Sequence, residues 1–435
     1  MNDVVTVVGG GLAGCEAALQ LLSRGFGVKM YEMRPVRMTG AHSTDALAEL
    51  VCSNSLKSES GDTASGTFKE ELDALGCRLL AAARECRVPS GSALAVDRAK
   101  FSAAVEKELF SHPRFKLVRE EVTELPSGPA VVATGPLTSD ALAARLAELT
   151  GEENLHFYDA VAPIVEFSSV DMRRAYFGGR YGKGGEDYLN LPMEKEEYLA
   201  FREALVAAET VVLKDFERKE LFEGCMPIEE IARRGEDAMR FGPLRPVGLR
   251  DPATGKGAYA VVQLRRENTA GDCYNIVGFQ TNLTFGEQKR VFGMIPALAE
   301  AEYLRYGVMH RNTYLNSDSC LNANFRFAGD NKLYAAGQLT GVEGYVESIM
   351  SGLVAAVSLA RELRGESAAV PPATTVTGAL CRYVASAGTG FQPMNANFGL
   401  LPYAGDVGKK ERKKYYRDRA VRDIIRFADE TRYRD

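Results

Sequence analysis

The sequence predicts an α/β protein whose main domain is a doubly wound, Rossmann-like parallel sheet, with an α+β domain inserted into it. Three observations support this prediction. A β-branched run near the start of the chain ends in a glycine-rich turn, and two later apolar runs end at glycines. From about residue 166 to residue 320, short β-like runs and glycine turns replace the alternation of strands and helices. Alternating strands and helices build a parallel sheet, so the loss of this alternation indicates a different domain.

The first strand, loop and helix form the most specific motif. Val4 to Val8 is the strand, Gly9-x-Gly11-x-x-Gly14 follows, and an Ala- and Leu-rich helical pattern continues to Arg24. Glycines allow the tight turn, the approach of the backbone to a pyrophosphate and close packing of helix on strand. The helix N-terminus adds unpaired N–H groups and a positive dipole for the phosphates. The predicted dinucleotide contacts in this loop are Gly9, Gly10, Gly11, Leu12, Ala13 and Gly14.

The second strand, Val28 to Tyr31, ends at Glu32. A carboxylate at this position can accept hydrogen bonds from ribose hydroxyls, and it would repel a 2′-phosphate. Strand, loop, helix, strand and acid together therefore predict a dinucleotide site, whereas glycines alone would indicate only a turn.

Two later segments decide between NAD and FAD. Pro129 to Gly135 and Leu333 to Gly337 each read as an apolar strand that ends at a glycine, and an Ala-rich helical pattern follows the second to Arg361. A dehydrogenase keeps its nicotinamide contacts in its first half, whereas a flavoprotein closes its site with a late helix N-terminus. The three segments together favour FAD and a glutathione-reductase-type fold, although Gly135 alone could be an ordinary turn. The late contacts predicted are Gly135, Gly337, Gln338, Gly341 and Val342.

The length and composition of the chain indicate how many domains it has and which class of protein it belongs to. A chain of 435 residues is long for one compact unit. We predict a FAD-binding domain from residues 1–165 and 325–435, with residues 166–324 as the inserted substrate domain. Apolar residues make up 46% and charged residues 26%, as in globular proteins. No apolar run reaches the roughly 18 residues of a membrane span, and the N-terminus lacks a signal-peptide pattern, so we expect a cytoplasmic protein.

A basic run near the end of the chain stands out against a net charge of −5. Clustered lysines and arginines neutralise phosphates, and two tyrosines in the run could stack on bases. An ordinary solvated helix is the alternative. The predicted RNA contacts are Lys409, Lys410, Lys413, Lys414 and Arg417.

Two of the eight cysteines lie in a chemical context. None forms a C-x-x-C pair, which argues against a zinc or dithiol site, and no metal is predicted. Cys52 lies in a polar stretch before Ser53 and Asn54, and Cys225 lies in a turn after Gly224. A free cysteine is more commonly a buried packing residue, so the loop placement is what makes these two candidates.

Several motifs together carry a family resemblance from Val4 to about Leu401. The chain resembles the folate- and FAD-dependent tRNA (uracil-5-)-methyltransferases, and more distantly the flavoprotein subunit of a tRNA wobble-uridine modification enzyme. The motifs are Glu32 to Pro35, Val51 to Leu56, Ala133 to Ser139, Glu223 to Pro227, Arg305 to Asn316 and Gly337 to Tyr345.

The resemblance implies methylation of uridine C5 at position 54 of the tRNA T-loop. The carbon would come from 5,10-methylenetetrahydrofolate and the hydride from reduced FAD, which NADH or NADPH regenerates. Cys52 and Cys225 would be the thiolate that adds to uracil C6 and the base, with the two roles left open. Further implied contacts are Arg34 for the cofactor and His310, Arg311 and Asn312 for folate. No obligate protein partner is inferred.

Three alternatives stay open at this point. The same chemistry could act on a uridine of large-subunit ribosomal RNA. The chain could instead be a non-catalytic FAD- and RNA-binding subunit of a wobble-uridine modification complex, or a small-molecule flavin oxidoreductase. Folds of this class host many reactions, so the fold does not separate them.

Overall fold

The structure is a computed structural model. It describes residues 4–151, 155–160, 162–182, 185–211, 226–330, 332–386, 391–403, 405, 407–408, 410–431 and 433. In chain order the strands are β1 (Val4–Val8), β2 (Gly27–Glu32), β3 (Ser55–Ser58), β4 (Arg87–Val88), β5 (Ala93–Val96), β6 (Phe115–Arg119), β7 (Ala130–Val132), β8 (Leu155–Ala160), β9 (Ile164–Glu166), β10 (Tyr176–Phe177), β11 (Tyr188–Met193), β12 (Ala260–Arg266), β13 (Cys273–Ile276), β14 (Tyr303–Arg305), β15 (Met309–Tyr314) and β16 (Leu333–Ala335).

The α-helices follow the same order. They are α1 (Leu12–Ser23), α2 (Ala64–Ala74), α3 (Arg78–Glu85), α4 (Arg98–Ser111), α5 (Asp140–Thr150), α6 (Lys195–Ala207), α7 (Ile228–Arg233), α8 (Ala238–Phe241), α9 (Phe285–Phe292), α10 (Ser317–Cys320), α11 (Tyr345–Leu363), α12 (Val376–Ser386) and α13 (Arg412–Thr431). None of the helices within the described residues is both long and apolar enough to cross a membrane.

A five-stranded parallel sheet forms the centre of the first domain. Its strand order is β16-β7-β1-β2-β6. Val8 is in register with Tyr31 on one side and Val132 on the other, and Ala335 is in register with Val132. The carboxyl ends of four strands therefore meet at one edge, where ligands bind in doubly wound sheets. This arrangement confirms the predicted Rossmann-like fold.

Helices α1 and α11 cross closely against this sheet. Nearly every residue of α1 is buried, in keeping with its Ala- and Leu-rich sequence. A Cβ atom on Gly352 would lie only 2.2 Å from the carbonyl oxygen of Ala13. The absence of a side chain at Gly352 therefore lets α11 reach the turn that begins α1.

The inserted domain is built on a different sheet. Its six strands run antiparallel in the order β10-β11-β12-β13-β9-β14. Helix α6 begins at a capping box in which the Glu194 N–H donates to the Glu197 carboxylate at 2.8 Å. The predicted α+β fold of the inserted domain is thus confirmed.

The buried apolar residues fall into two clusters, one for each domain. Val165 belongs to the second cluster, whereas Leu315 belongs to the first. The division at residues 166 and 324 stays a prediction. Two smaller sheets, β15 with β8 and β3-β5-β4, complete the described strands.

Candidate functional site

A cavity opens at the edge where the parallel strands end. Its non-atom space, which includes solvent at the mouth, is about 1000 Å³. The glycine loop after β1, the end of β2 and the turns after β7 and β16 form its walls. Predicted cofactor contacts that line it are Gly9, Gly11, Leu12, Ala13, Glu32, Arg34, Gly135, Gly337 and Gln338.

The glycine loop has the geometry of a phosphate cradle. Gly9 has a φ of +104°, and a Cβ there would lie 2.4 Å from the carbonyl oxygen of Ala133. A Cβ on Gly14 would lie 1.9 Å from the Gly9 carbonyl oxygen, whereas a Cβ on Gly11 would meet nothing within 4 Å. No side chain caps the start of α1. The first N–H groups of that helix are therefore suited to an anionic ligand, and the loop fits a dinucleotide.

Glu32 is fixed by the backbone of the loop and by Arg34. Its Oε2 accepts from the Gly10 N–H at 2.8 Å, and its Oε1 accepts from the Arg34 N–H and Nε at 3.0 and 2.9 Å. Burial raises the pKa of Glu32, but the contacts with Arg34 and Gly10 outweigh it and lower the pKa overall. The carboxylate is therefore ionised, and Oε2 keeps one acceptor position for a ribose hydroxyl.

We expect Glu32→Gln to destabilise the protein by about 1–3 kcal/mol at neutral pH, because the amide cannot replace the charge-assisted bonds. The folded-state pKa of Glu32 lies below its ordinary value of 4.5, so its contribution is present above that pH and is lost as the pH falls through the folded pKa. Urea unfolding of the wild type and Glu32→Gln should thus show a constant difference above about pH 5 that shrinks in more acidic buffer. A difference that grows on acidification would contradict this assignment.

Gly341 and Val342, which were also predicted to contact the cofactor, do not line the cavity. A Cβ on Gly341 would lie 2.4 Å from the ring of Phe391, and Val342 forms a backbone bridge with Met394. These residues hold the turn before α11 against the later chain. Their predicted contact with a cofactor stays a prediction.

The Cys52 loop lies at the rim of the cavity. Cys52 is half-buried, and the N–H groups of Cys52 and Ser53 donate to the Tyr345 Oη at 2.7 and 3.1 Å. Tyr345 and Val51 both line the cavity. Because one phenol oxygen holds the Cys52 backbone, the cysteine is fixed next to the predicted cofactor site.

Two arginines hold the other side of this loop. The Cys52 carbonyl accepts from Arg98 Nη2 and Arg305 Nη2, each at 3.1 Å. Arg98 belongs to α4 of the first domain and is paired with Glu267 at 2.7 Å, whereas Arg305 ends β14 of the inserted domain. Both domains thus position the loop.

The second predicted catalytic cysteine, Cys225, lies outside the described residues. His310 and Arg311 are on β15, for which the structure gives the backbone, and Asn312 on the same strand is buried. Just after this strand, the Leu315 N–H donates to the Leu339 carbonyl at 2.8 Å, and the strand runs beside the turn at Gly135–Leu137. The predicted folate strand therefore lies next to the cavity.

Some residues of the basic run are exposed to solvent, and others pack against the protein. Lys410, Lys413 and Lys414 are exposed, while Lys409 lies outside the described residues. Arg417 pairs with Glu70 of α2 at 2.9 Å, so it fastens α13 to the first domain. The RNA-binding role of these residues stays a prediction.

The remaining described cysteines are better explained by packing. Cys15, Cys77 and Cys381 are buried, and burial raises the pKa of each thiol, in Cys381 to about 12. No group of three or more His, Cys, Asp or Glu residues in the described part of the chain is arranged to hold a metal ion.

Three residues that hold the Cys52 loop are absent from the sites predicted by sequence. Arg305 and Tyr345 stand at the ends of two quoted motifs, which is a signal that could have identified them. Arg98 is an ordinary arginine at a helix start, and nothing in the sequence distinguishes it.

Comparison with known proteins places this geometry in a family. The family model described as glucose inhibited division protein A matches residues 4–367. A methylenetetrahydrofolate--tRNA-(uracil-5-)-methyltransferase TrmFO of Bacillus licheniformis is 54% identical over 427 residues, covering 98% of each chain. The protein of the same name from Bacillus subtilis is 54% identical over 426 residues, covering 97% of this chain and 98% of the relative.

Solved structures agree at the level of the fold. Two crystal forms of Aquifex aeolicus GidA superpose with TM-scores of 0.71 and 0.72 at 15% and 16% identity, covering 99% of this chain and 74% and 76% of theirs. Sequence identity this low supports only the shared architecture. With the family match and the close relatives, the chain belongs to the glucose inhibited division protein A family and, within it, to the methylenetetrahydrofolate--tRNA-(uracil-5-)-methyltransferases.

Proposed function

We propose that this protein methylates C5 of the uridine at position 54 in the tRNA T-loop. The carbon donor is 5,10-methylenetetrahydrofolate, and NADH or NADPH reduces the FAD. The observation that carries the proposal is the Cys52 loop, which Tyr345 holds at the rim of the dinucleotide cavity. The names of the close relatives support a uracil of tRNA as the substrate and the same carbon donor.

The described residues fit FAD as the cofactor. The glycine loop and the start of α1 would hold the pyrophosphate, and Glu32 would accept from the ribose of the adenosine half. The turns at Gly135 and Gly337 and the start of α11 would close the opposite end. Bound and reduced, the flavin supplies the hydride that completes the methyl group.

The uracil ring needs covalent activation, because its C5 is a poor nucleophile. In the proposed reaction a thiolate adds to C6, and the electron pair of the C5–C6 bond moves to form an enolate. The enolate carbon C5 attacks the methylene of the folate donor, and one of the two methylene–nitrogen bonds of the donor breaks. A base then removes the C5 proton, and the second methylene–nitrogen bond breaks, which releases tetrahydrofolate and leaves an exocyclic methylene on C5. Once this methylene has accepted a hydride, the sulfur–C6 bond breaks and the C5–C6 double bond is restored. Cys52 and Cys225 are the proposed thiolate and base, in an order left open.

Cys52 is suited to either role. Arg98 and Arg305 contact its backbone carbonyl, and Tyr345 contacts its N–H, so the loop that carries the thiol is fixed. The target base is stacked within the RNA, so it must flip out of the loop to reach this thiol.

Nucleoside analysis tests the proposal directly. Purified protein should be yellow and should form 5-methyluridine in tRNA that lacks it, given methylenetetrahydrofolate and NADH or NADPH. Omission of the folate should abolish the product. Product formed with S-adenosylmethionine alone, or formed in ribosomal RNA and not in tRNA, would contradict the proposal.

Tyr345→Phe should lower the turnover number by about 10- to 100-fold, with little change in the KM for tRNA. The substitution removes the acceptor of two N–H groups, and each unsatisfied N–H costs about 1–3 kcal/mol. The Cys52 loop would then leave its position while the cavity keeps its aromatic wall. Steady-state kinetics and flavin content check this, and Tyr383→Phe, a change of another tyrosine that donates to the Gln392 carbonyl, is the control. Equal turnover in both variants would exclude a positioning role for Tyr345.

A further inference from the structure

A second concave surface lies on the inserted domain, away from the cavity. Its lining comes from the end of β10 and the turn after it, up to Gly182, from Gly185, and from residues between Pro246 and Ala258, and its space of about 1300 Å³ is open to solvent. We call it the Tyr181 groove. Glycines make up much of its wall, so the backbone is accessible along it.

Tyr181 forms a flat platform in this groove. Its side chain is 67% exposed, and its φ of +57° is held by a hydrogen bond from its N–H to the Gly248 carbonyl at 2.7 Å. A Cβ on Gly248 would lie 2.9, 2.9 and 3.0 Å from three ring atoms. A point equally distant from three atoms of a ring lies over its face. One face of the ring therefore rests on Gly248, and the other is open for stacking.

Three arginines lie close to the platform in the chain: Arg180 precedes Tyr181, Arg245 precedes the groove residue Pro246, and Arg250 lines the groove. Arg245 and Arg250 are exposed, and Arg180 donates to the Val247 carbonyl and to Gln263 at 2.8 and 3.0 Å. Within the part of the chain that the structure describes, none of these three arginines has a carboxylate within ion-pair distance, unlike most surface arginines elsewhere, such as Arg173 with Asp171.

An open aromatic face beside unpaired arginines is the pattern that binds single-stranded nucleic acid, because bases stack on the ring and phosphates pair with the cations. We propose that the Tyr181 groove binds unpaired nucleotides of the RNA substrate. Tyr181 stacks on one base, and Arg245 and Arg250 contact the neighbouring phosphates. This inference rests on the proposed function, which supplies an RNA substrate.

The groove is also tied to the segment that follows Cys52. The Gly91 N–H donates to Asp187 at 2.6 Å, and the Tyr188 Oη donates to the Ser90 carbonyl at 3.2 Å. The Ser90 turn leads into β5, which pairs with β3 three residues after Cys52. The chain just after groove residue Gly185 therefore contacts the segment that leads to the Cys52 loop.

Binding of a tRNA transcript to the flavin-loaded protein tests the proposal. Tyr181→Ala should weaken affinity about tenfold, whereas Tyr181→Phe should bind like the wild type, because it keeps the stacking face. The double variant Arg245→Gln, Arg250→Gln should bind more weakly and reduce the salt slope of log Kd by roughly 1.4 to 1.8. Arg173→Gln, whose arginine side chain is 89% exposed but ion-paired, is the matched control and should bind normally.

The outcomes separate this proposal from the proposed function. If the wild type binds tRNA and both Tyr181→Ala and the double arginine variant bind it equally well, the groove is not an RNA site, while the proposed function stands. If the wild type binds no tRNA, the proposed function fails, and the groove proposal fails with it.

Discussion

Cys52→Ala is expected to lower 5-methyluridine formation by at least about 100-fold while FAD stays bound. Removal of a general base alone costs roughly 10² to 10⁴ in rate, and removal of the nucleophile costs more. The loss should therefore be large whichever role Cys52 has. Single-turnover methylation and the flavin absorbance of the purified variant measure the two quantities.

The backbone of the Cys52 loop is what the neighbouring residues hold. Tyr345 contacts its N–H group, and Arg98 and Arg305 contact its carbonyl. Alanine keeps all of these contacts, so loss of activity would report the missing thiol and not a displaced loop.

Cys273→Ala is the matched control. Cys273 is also half-buried, but its neighbour is an acid: burial and then a hydrogen bond to Asp272 raise the pKa of its thiol to about 12. Cys273 should therefore be unreactive, and its alanine variant should methylate normally. Alkylation by iodoacetamide near neutral pH should label Cys52 much faster than Cys273. Full activity in Cys52→Ala would remove this residue from the chemistry.

Local patterns in the sequence predict the fold and the cofactor end of the site well. A β-branched run, glycines and an acid specify β1, the loop and Glu32 through interactions between residues close in sequence. The three strand–glycine segments then meet because parallel strands in one sheet end at the same edge. For the inserted domain, the sequence predicted only that short β-like runs replace the alternating strands and helices. It did not predict the antiparallel sheet, because the strands are short and separated by turns.

The environment of Cys52 is a different case. Its partners Tyr345 and Arg305 are 293 and 253 residues away in the chain, and both bind the Cys52 backbone. Every residue has a backbone carbonyl, so the sequence around Cys52 does not indicate which distant side chains bind it. The basic run shows a related limit: clustered charge predicts a surface, but it does not reveal that Arg417 pairs with Glu70.

The glycine loop allows packing and ligand binding to be separated experimentally, because Gly14 and Gly11 differ in what surrounds them. A Cβ on Gly14 would overlap the Gly9 carbonyl at 1.9 Å, which is backbone and cannot move aside. We expect Gly14→Ala to destabilise the protein even without cofactor, by about 3 kcal/mol or more. Urea unfolding of the flavin-free protein measures this loss.

Gly11→Ala should have the opposite profile. Its φ of −76° and ψ of −170° suit alanine, and its Cβ would meet no protein atom within 4 Å. The flavin-free protein should therefore unfold at the wild-type urea concentration. That open space faces the unpaired N–H groups at the start of α1, where the pyrophosphate is expected, so the added methyl group should weaken FAD binding by about 10- to 100-fold. Titration of the flavin-free variant with FAD measures the affinity, and wild-type affinity would mean that the pyrophosphate does not lie over Gly11. A stable apoprotein that has lost FAD would show that the space above Gly11 is reserved for the ligand and not for packing.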